Sequence, residues 1–299
     1  MKRGYLQILL AAVLFLLALG LTLYPVVSNW YIGRHQSRIQ TEYREVLEQT
    51  DSAEIESIRE SAAAYNKTIT PGAAEKAYSQ ESIRLAAEDY VNQVDVSGSG
   101  IMGYVEIPKI GVDLPIYHGT GADSLDRGTG HLLGSSLPVG GESTHTIITG
   151  HSGMASQKMF TDLEQLREGD IFYLHVLDET LTYEVREIHT VLPHDTTYLG
   201  IEPGEDLCTL VTCTPTGVNT HRLLVHGSRI PYVPTEETEA SAVPHEENTD
   251  SNWEKQYWLG VRLGLAAMVF LTLVAGAVLY IRRNRGRAVH RKGGRYVRK

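Results

Sequence analysis

The spacing of apolar residues changes character several times along the chain. Residues 6–27, LQILLAAVLFLLALGLTLYPVV, are 22 consecutive residues without a charge. A helix needs about 20 such residues to cross a bilayer. Residues 263–281 repeat the pattern, and the stretch extends back to Tyr257 if Arg262 snorkels to the interface. Between 34 and 66 the apolar positions Ile39, Tyr43, Val46, Leu47, Ile55 and Ile58 recur at helical intervals in a polar background. They predict one or two amphipathic helices, with Asp51 and Ser52 as a cap for the second and Glu54 nearby. A further helix is expected over 73–94, ended by SGSG at 97–100.

From Ile101 the period shortens. Seven β-rich runs alternate with Gly, Pro and Asp turns: 103–110, 112–118, 144–150, 170–177, 179–192, 206–213 and 221–230. Such spacing predicts a β-barrel or sandwich, interrupted by short helical pieces near Ala122–Asp126 and Lys158–Leu166. The expected organisation is therefore an N-terminal anchor over 1–30, a helical extension over 31–100 and a β domain over 101–232. An acidic linker over 233–256, a C-terminal membrane helix over 257–281 and a basic tail over 282–299 complete it.

Charge gives the orientation. Residues 1–27 hold Lys2 and Arg3 and no acid, and residues 282–299 carry nine Lys/Arg and no acid. Both ends read as cytoplasmic and the middle as extracellular. A cleaved signal peptide is the alternative for the first span, but its apolar run is long for one and no clear A-x-A site follows. Residues 28–256 hold 15 Lys/Arg against all 36 Asp/Glu, so 15 − 36 = −21. That excess argues against nucleic-acid binding by counterion release and eases the approach of a cationic partner. Keeping a surface domain soluble is the ordinary use of such charge.

The chain has two cysteines, Cys208 and Cys213, both in the run GEDLCTLVTCTP. Five steps along one strand span about 16 Å at ~3.3 Å each, and an odd separation sends the side chains to opposite faces. A disulfide needs Cα atoms within about 7 Å, so the two cannot pair within that strand. Cys213, at a strand end beside a Thr-Pro turn, is the better nucleophile candidate. A catalytic thiol needs a proton-trading partner and a donor for the developing oxyanion. A hairpin from Cys213 to Arg222 would set a fixed-charge donor on the neighbouring strand; an ordinary surface ion pair is the competing role for that arginine. His151, in a glycine-flanked turn after the run ending at Gly150, is free to face a groove. His175, His189 and His226 lie inside predicted strands, where packed or half-exposed roles are expected. No His/Cys/Asp set has zinc-ligand spacing.

Three segments taken together resemble the catalytic segments of sortases, the cysteine transpeptidases of Gram-positive cell surfaces: TGHSG at 149–153, TLVTCTP at 209–215 and NTHRLLV at 219–225. The longer runs IMGYVEIPKIGVDLPIYHGT at 101–120, GTGHLLGSSLPVGG at 128–141, MFTDLEQLREGD at 159–170 and RIPY at 229–232 are similar to class C, the pilin-polymerising sortases. The resemblance covers about 101–232 and implies a closed eight-stranded β-barrel, flanked by a transmembrane helix at each end. It implies Cys213 as nucleophile, His151 as general acid/base and Arg222 as substrate holder and oxyanion stabiliser. Cys208 has no counterpart and reads as packing. The implied reaction cleaves an LPXTG-like signal at its Thr–Gly bond through a thioester. A pilin lysine amine then takes the acyl group, with no cofactor and no metal. The alternative acceptor is a cell-wall precursor, in an enzyme attaching surface proteins to the cell-wall peptide. A sortase substrate, the non-enzymatic alternative, would need an LPXTG-type signal before Tyr257, where the sequence reads ENTDSNWEKQ.

One departure concerns the lid that class C enzymes commonly place over the cysteine with an Asp-Pro-aromatic motif. Residues 31–100 hold one proline, Pro71, in Thr-Pro-Gly, and no such motif. Tyr65, Tyr78 and Tyr90 are the candidates to replace it.

Overall fold

The computed structural model describes residues 2–69, 72–73, 87–154, 157–232 and 252–293. Among these, eight strands close into a barrel: β1 Ile101–Ile107, β2 Val112–His118, β3 Thr129–His131, β4 Thr144–Thr149, β5 Ile171–Val176, β6 Glu179–Val191, β7 Asp206–Thr214 and β8 His221–Ile230. Their order is β1-β2-β3-β4-β7-β8-β6-β5, with β5 pairing back onto β1. The β2–β3 and β4–β7 pairs are parallel and the rest antiparallel.

Seven strands fall where the alternation places them. The eighth, β3, is absent from the sequence reading. Three residues around a central glycine carry no periodic signal, and the strand exists because β2 and β4 supply ladders on both sides. The short helical pieces also appear, as an α-turn at Ala122–Leu125 and a 3₁₀ segment at Thr161–Gln165.

N-terminal to the barrel, helix α1 runs over Lys2–Gln49 and α2 over Ser52–Asn66. Asp51 caps α2 as expected, its carboxylate accepting from the Ala53 N–H at 2.8 Å. A short helix, α3, covers Ala87–Val91; the remainder of the 73–94 helix expectation lies largely outside the described residues. The extension is bonded to the barrel rather than merely preceding it. Ile55, Ala62, Tyr90 and Val94 join the barrel's main core. The Tyr43 hydroxyl donates to the Met102 carbonyl and accepts from the Leu177 N–H. Asn66 and the Leu137 backbone exchange two hydrogen bonds of 3.2 and 2.7 Å. The chain accordingly divides into two units, Ser28–Trp253 and Met1–Val27 with Glu254–Lys299.

Within the second unit, α4 labels a helix over Asn252–Gly293. Among the described residues one stretch, the 21 residues Trp258–Val278, is long and apolar enough to span a membrane. Residues 6–27 are helical as part of α1.

Strand β7 displays the two-faced character that the cysteine spacing implies. Cys208 and Leu210 point into the main core, while Val211 joins a second apolar cluster with Leu132, Ile147, Val191, Leu199 and Leu224. Cys213 shares the Val211 face by alternation. Both thiols are free; Cys208 is fully buried and Cys213 half-buried.

Candidate active site

The second apolar cluster marks a continuous outer face across β4, β7, β8 and β6. Reading the ladders, Cys213 stands opposite Arg222, and Arg222 opposite Val191. One row further in, Thr149, Val211, Leu224 and His189 stand side by side, and beyond them Ile147, Thr209, His226 and Glu187. Cys213 and Arg222 are therefore neighbours on one face, at the end of the barrel where β7 terminates. His221 pairs with Thr214 and takes the other face.

His151 reaches the same row from the opposite side. The β4–β7 ladder ends at Thr149 and Val211, but the chain stays attached beyond it. The Gly150 N–H donates to the Val211 carbonyl at 3.0 Å. The Thr212 hydroxyl donates to the Gly150 carbonyl at 2.8 Å, and the Ser152 hydroxyl to the Cys213 carbonyl at 2.6 Å. His151 is thus held between two residues fixed to β7, level with Cys213. Gly150 permits this approach: a Cβ there would lie 2.7 Å from Phe160 Cδ2, inside any allowed contact. The Phe160 N–H closes the turn onto the His151 carbonyl at 3.0 Å.

Three sequence candidates, 62 to 71 residues apart for the histidine and the other two, so converge on three adjacent chain segments. Cys213 is in the middle, His151 on the β4 side and Arg222 on the β8 side. Such a row offers a nucleophile, a proton carrier and a fixed cation. The Arg222 guanidinium donates to the Asn219 and His221 carbonyls, at 3.3 and 3.0 Å, and no carboxylate pairs with it among the described residues. Those contacts set its position without neutralising it.

Other polar groups at the site gave no sequence signal. Asp126 sits after the Ala122–Leu125 turn with Oδ1 3.9 Å from His151 Nε2, both side chains well exposed. The buried Gln157 side chain donates to the Asp126 carbonyl at 2.9 Å and ties that turn to the histidine loop. Glu164 accepts from the Thr214 hydroxyl at 2.8 Å, next to Cys213. Only the β2–β3–β4 pairing brings Asp126 to the histidine, so local pattern could not reveal it.

The histidines expected to be structural are so. His175 is bonded to Glu106 at 2.9 Å and stacked on Tyr104, His189 is bonded to Glu187 at 3.0 Å, and His226 is buried. Of the aromatic residues considered for a lid, Tyr90 is committed elsewhere. Its buried hydroxyl bonds the His131 ring at 2.8 Å and accepts from the Gly119 N–H at 3.0 Å. Tyr65 packs against the main core, and Tyr78 lies outside the described residues.

Comparison with known proteins identifies the family. The sortase domain family matches residues 105–230. Sortase A of Streptococcus agalactiae serotype III (strain NEM316) is 27% identical over 226 residues, 75% of this chain and 84% of that protein. The crystal structure of sortase C1 from Streptococcus agalactiae superposes with a TM-score of 0.59 at 43% identity, covering 66% of this chain and 100% of that one. Sortase C of Streptococcus pneumoniae, whose structure bears on catalysis and pilin substrate specificity, gives a TM-score of 0.60 at 44% identity, with 66% and 100% covered.

Proposed function

The chain belongs to the sortase family of transpeptidases, and from that premise we propose that it polymerises pilins as a membrane-anchored class C enzyme. Cys213 is the nucleophile, His151 the general acid/base and Arg222 the oxyanion and substrate-holding cation. The observation that carries this reading is the row itself: Cys213 flanked in register by Arg222 and, on the other side, by His151.

The chemistry follows from the placement. The Cys213 thiolate attacks the Thr–Gly carbonyl of an LPXTG-like signal, and the developing oxyanion lies beside Arg222. The C–N bond breaks as His151 gives its proton to the departing glycine amine, leaving a thioester on Cys213. A lysine amine of another pilin subunit then attacks the acyl carbon and loses a proton to His151. The C–S bond breaks, the thiolate returns and an isopeptide bond remains. The acidic outer region, net −21 over 28–256, favours approach of the cationic acceptor.

The apolar stretch 258–278 and the charge-free run 6–27 support membrane anchoring at both ends, and the basic tail supports a cytoplasmic C-terminus with the barrel outside. The deciding experiment is intact-mass analysis of the full chain in detergent after incubation with an LPXTG-type peptide, beside Cys213→Ala. An acyl adduct on the parent and none on the variant supports the reading. Adding a pilin-derived lysine peptide or a cell-wall peptide amine as competing acceptors then tests the pilin assignment, which fails if only the cell-wall amine discharges the thioester.

A further inference from the structure

The segment joining β6 to β7, residues 192–205, crosses the outer face that begins at Cys213 and Arg222. Leu199 is its buried anchor, seated with Ile147, Val211, Leu224 and Val191. Around that anchor the contacts differ in kind. Glu202 pairs with Arg186 at 2.9 Å, both largely in solvent, where such pairs contribute little. Tyr198 stacks on His189 with centroids 3.9 Å apart but keeps an exposed edge. The Gly204 N–H donates to the Ser143 hydroxyl at 2.9 Å on the surface.

The Thr144 N–H donates to the Glu205 carbonyl at 3.1 Å where the segment enters β7, and one further tie leads into the interior. The Gly200 carbonyl lies 2.7 Å from His145 Nδ1, His145 Nε2 lies 2.6 Å from the Thr209 hydroxyl, and that hydroxyl lies 2.8 Å from His226 Nδ1. His145, Thr209 and His226 are 1%, 0% and 4% exposed. The direction of every proton follows from the end of the chain. A carbonyl only accepts, so His145 carries its proton on Nδ1 and its Nε2 must accept. Thr209 therefore donates to His145, and its oxygen accepts from the Nδ1–H of His226. His226 Nε2 is left as a buried lone pair without a partner among the described residues. Burial holds both imidazoles neutral, that of His226 down to about 4. Neutral rings are what this sequence of donors and acceptors requires.

We propose that His145, Thr209 and His226 form a positioning relay that latches residues 192–205 over the barrel face leading away from Cys213. Its effect on substrate rests on the sortase reading above. Thr209 lies four residues, roughly 13 Å of strand, from Cys213 on the same face. The relay therefore acts on the covering segment, and through it on peptide binding, without touching the reacting atoms. Losing the Thr209 hydroxyl strands a buried acceptor and a buried donor at once.

Thr209→Val keeps the shape and removes the hydroxyl; Thr209→Ser keeps the hydroxyl. In the full chain in detergent, hydrogen exchange across 196–202 is expected to quicken at least tenfold in the valine variant and to return toward the parent in the serine variant. The KM for the LPXTG-type peptide is expected to rise several-fold in Thr209→Val with kcat little changed. Unchanged exchange in that segment overturns the latch, and so does a loss confined to kcat. Because Thr209→Val could fail to fold, ¹⁵N NMR of the parent chain provides a second test. Both His145 and His226 are expected as the Nδ1–H tautomer, and an Nε2–H tautomer at His145 overturns the proposal. If no peptide acylates Cys213, the substrate reading fails, while the exchange and tautomer results still decide the latch.

Discussion

Cys213 and Arg222 are direct register partners across the β7–β8 ladder, so one strand pairing fixes the proposed nucleophile beside a cation. The side chains share a face because directly opposed residues of an antiparallel pair do so. The relationship needs no loop to hold it.

Arg222→Ala is expected to lower kcat/KM by about 10²–10³-fold, the usual loss on removing an oxyanion donor. The melting temperature should stay within a few degrees, since among the described residues the guanidinium hydrogen-bonds two neighbouring backbone carbonyls. Arg222→Lys should rescue little, because a point charge does not reproduce the planar fork. Unfolding of Arg222→Ala would assign the residue a structural role instead.

Gly150→Ala should damage both fold and site. The added methyl meets the Phe160 ring at 2.7 Å. Overpacking of this kind costs typically 1–3 kcal/mol, and the displaced turn carries His151. A lowered urea midpoint together with slowed acylation is the expected result. An unperturbed midpoint would show that Phe160 yields freely.

The two cysteines should separate cleanly by alkylation. In native protein iodoacetamide is expected to modify Cys213 alone. Cys208 is fully buried, with its thiol pushed well above the ordinary range by desolvation, and should react only after unfolding. Peptide mapping after partial labelling reads this directly, and native labelling of Cys208 would contradict the barrel assignment.

Asp126→Asn is expected to slow turnover by no more than about threefold. Its carboxylate is 3.9 Å from His151 Nε2 and largely solvated, and exposed ion pairs are worth about 0.2–1 kcal/mol. A loss above tenfold in kcat/KM would make Asp126 a necessary partner of the histidine.

Acid should destabilise the barrel through its buried histidines. His131 and His226 are pushed down to about 4 by burial, and His145 is lowered for the same reason. The unfolded chain binds protons at these positions below about 6.5, while the folded chain resists until near 4. Stability is therefore complete above about 6.5 and falls as pH drops toward 4. Asp113 acts in the opposite sense. Burial raises it to about 6, so its contribution is present at low pH and lost as pH rises through that value. Three imidazoles outweigh one carboxyl, and the urea midpoint is expected to fall between pH 6.5 and 4.5. His131→Asn should flatten that slope, and a midpoint independent of pH would refute the assignment.

Much of this protein was legible in its residues. The charge-free 22-residue run, the helical spacing from 34, the Asp51 cap and seven of eight strands follow from periodicity and turn chemistry, which act over a few residues. The odd spacing of Cys208 and Cys213 alone puts the two thiols on opposite faces of their strand. The Cys213–Arg222 pairing was anticipated because a hairpin is local. The glycine-flanked turn made His151 a candidate, but choosing it among twelve histidines needed the resemblance to sortases.

Other features exist only because distant segments meet. Strand β3 has too few residues to show a period and is made by its neighbours' ladders. Asp126 approaches His151 through the β2–β3–β4 pairing. His145, Thr209 and His226 lie on three strands that become adjacent only when β4 inserts beside β7, and their proton order is set by a carbonyl at Gly200. Periodicity records which face a side chain takes, because that is a property of the strand itself. Which side chains share the face is decided by long-range strand order.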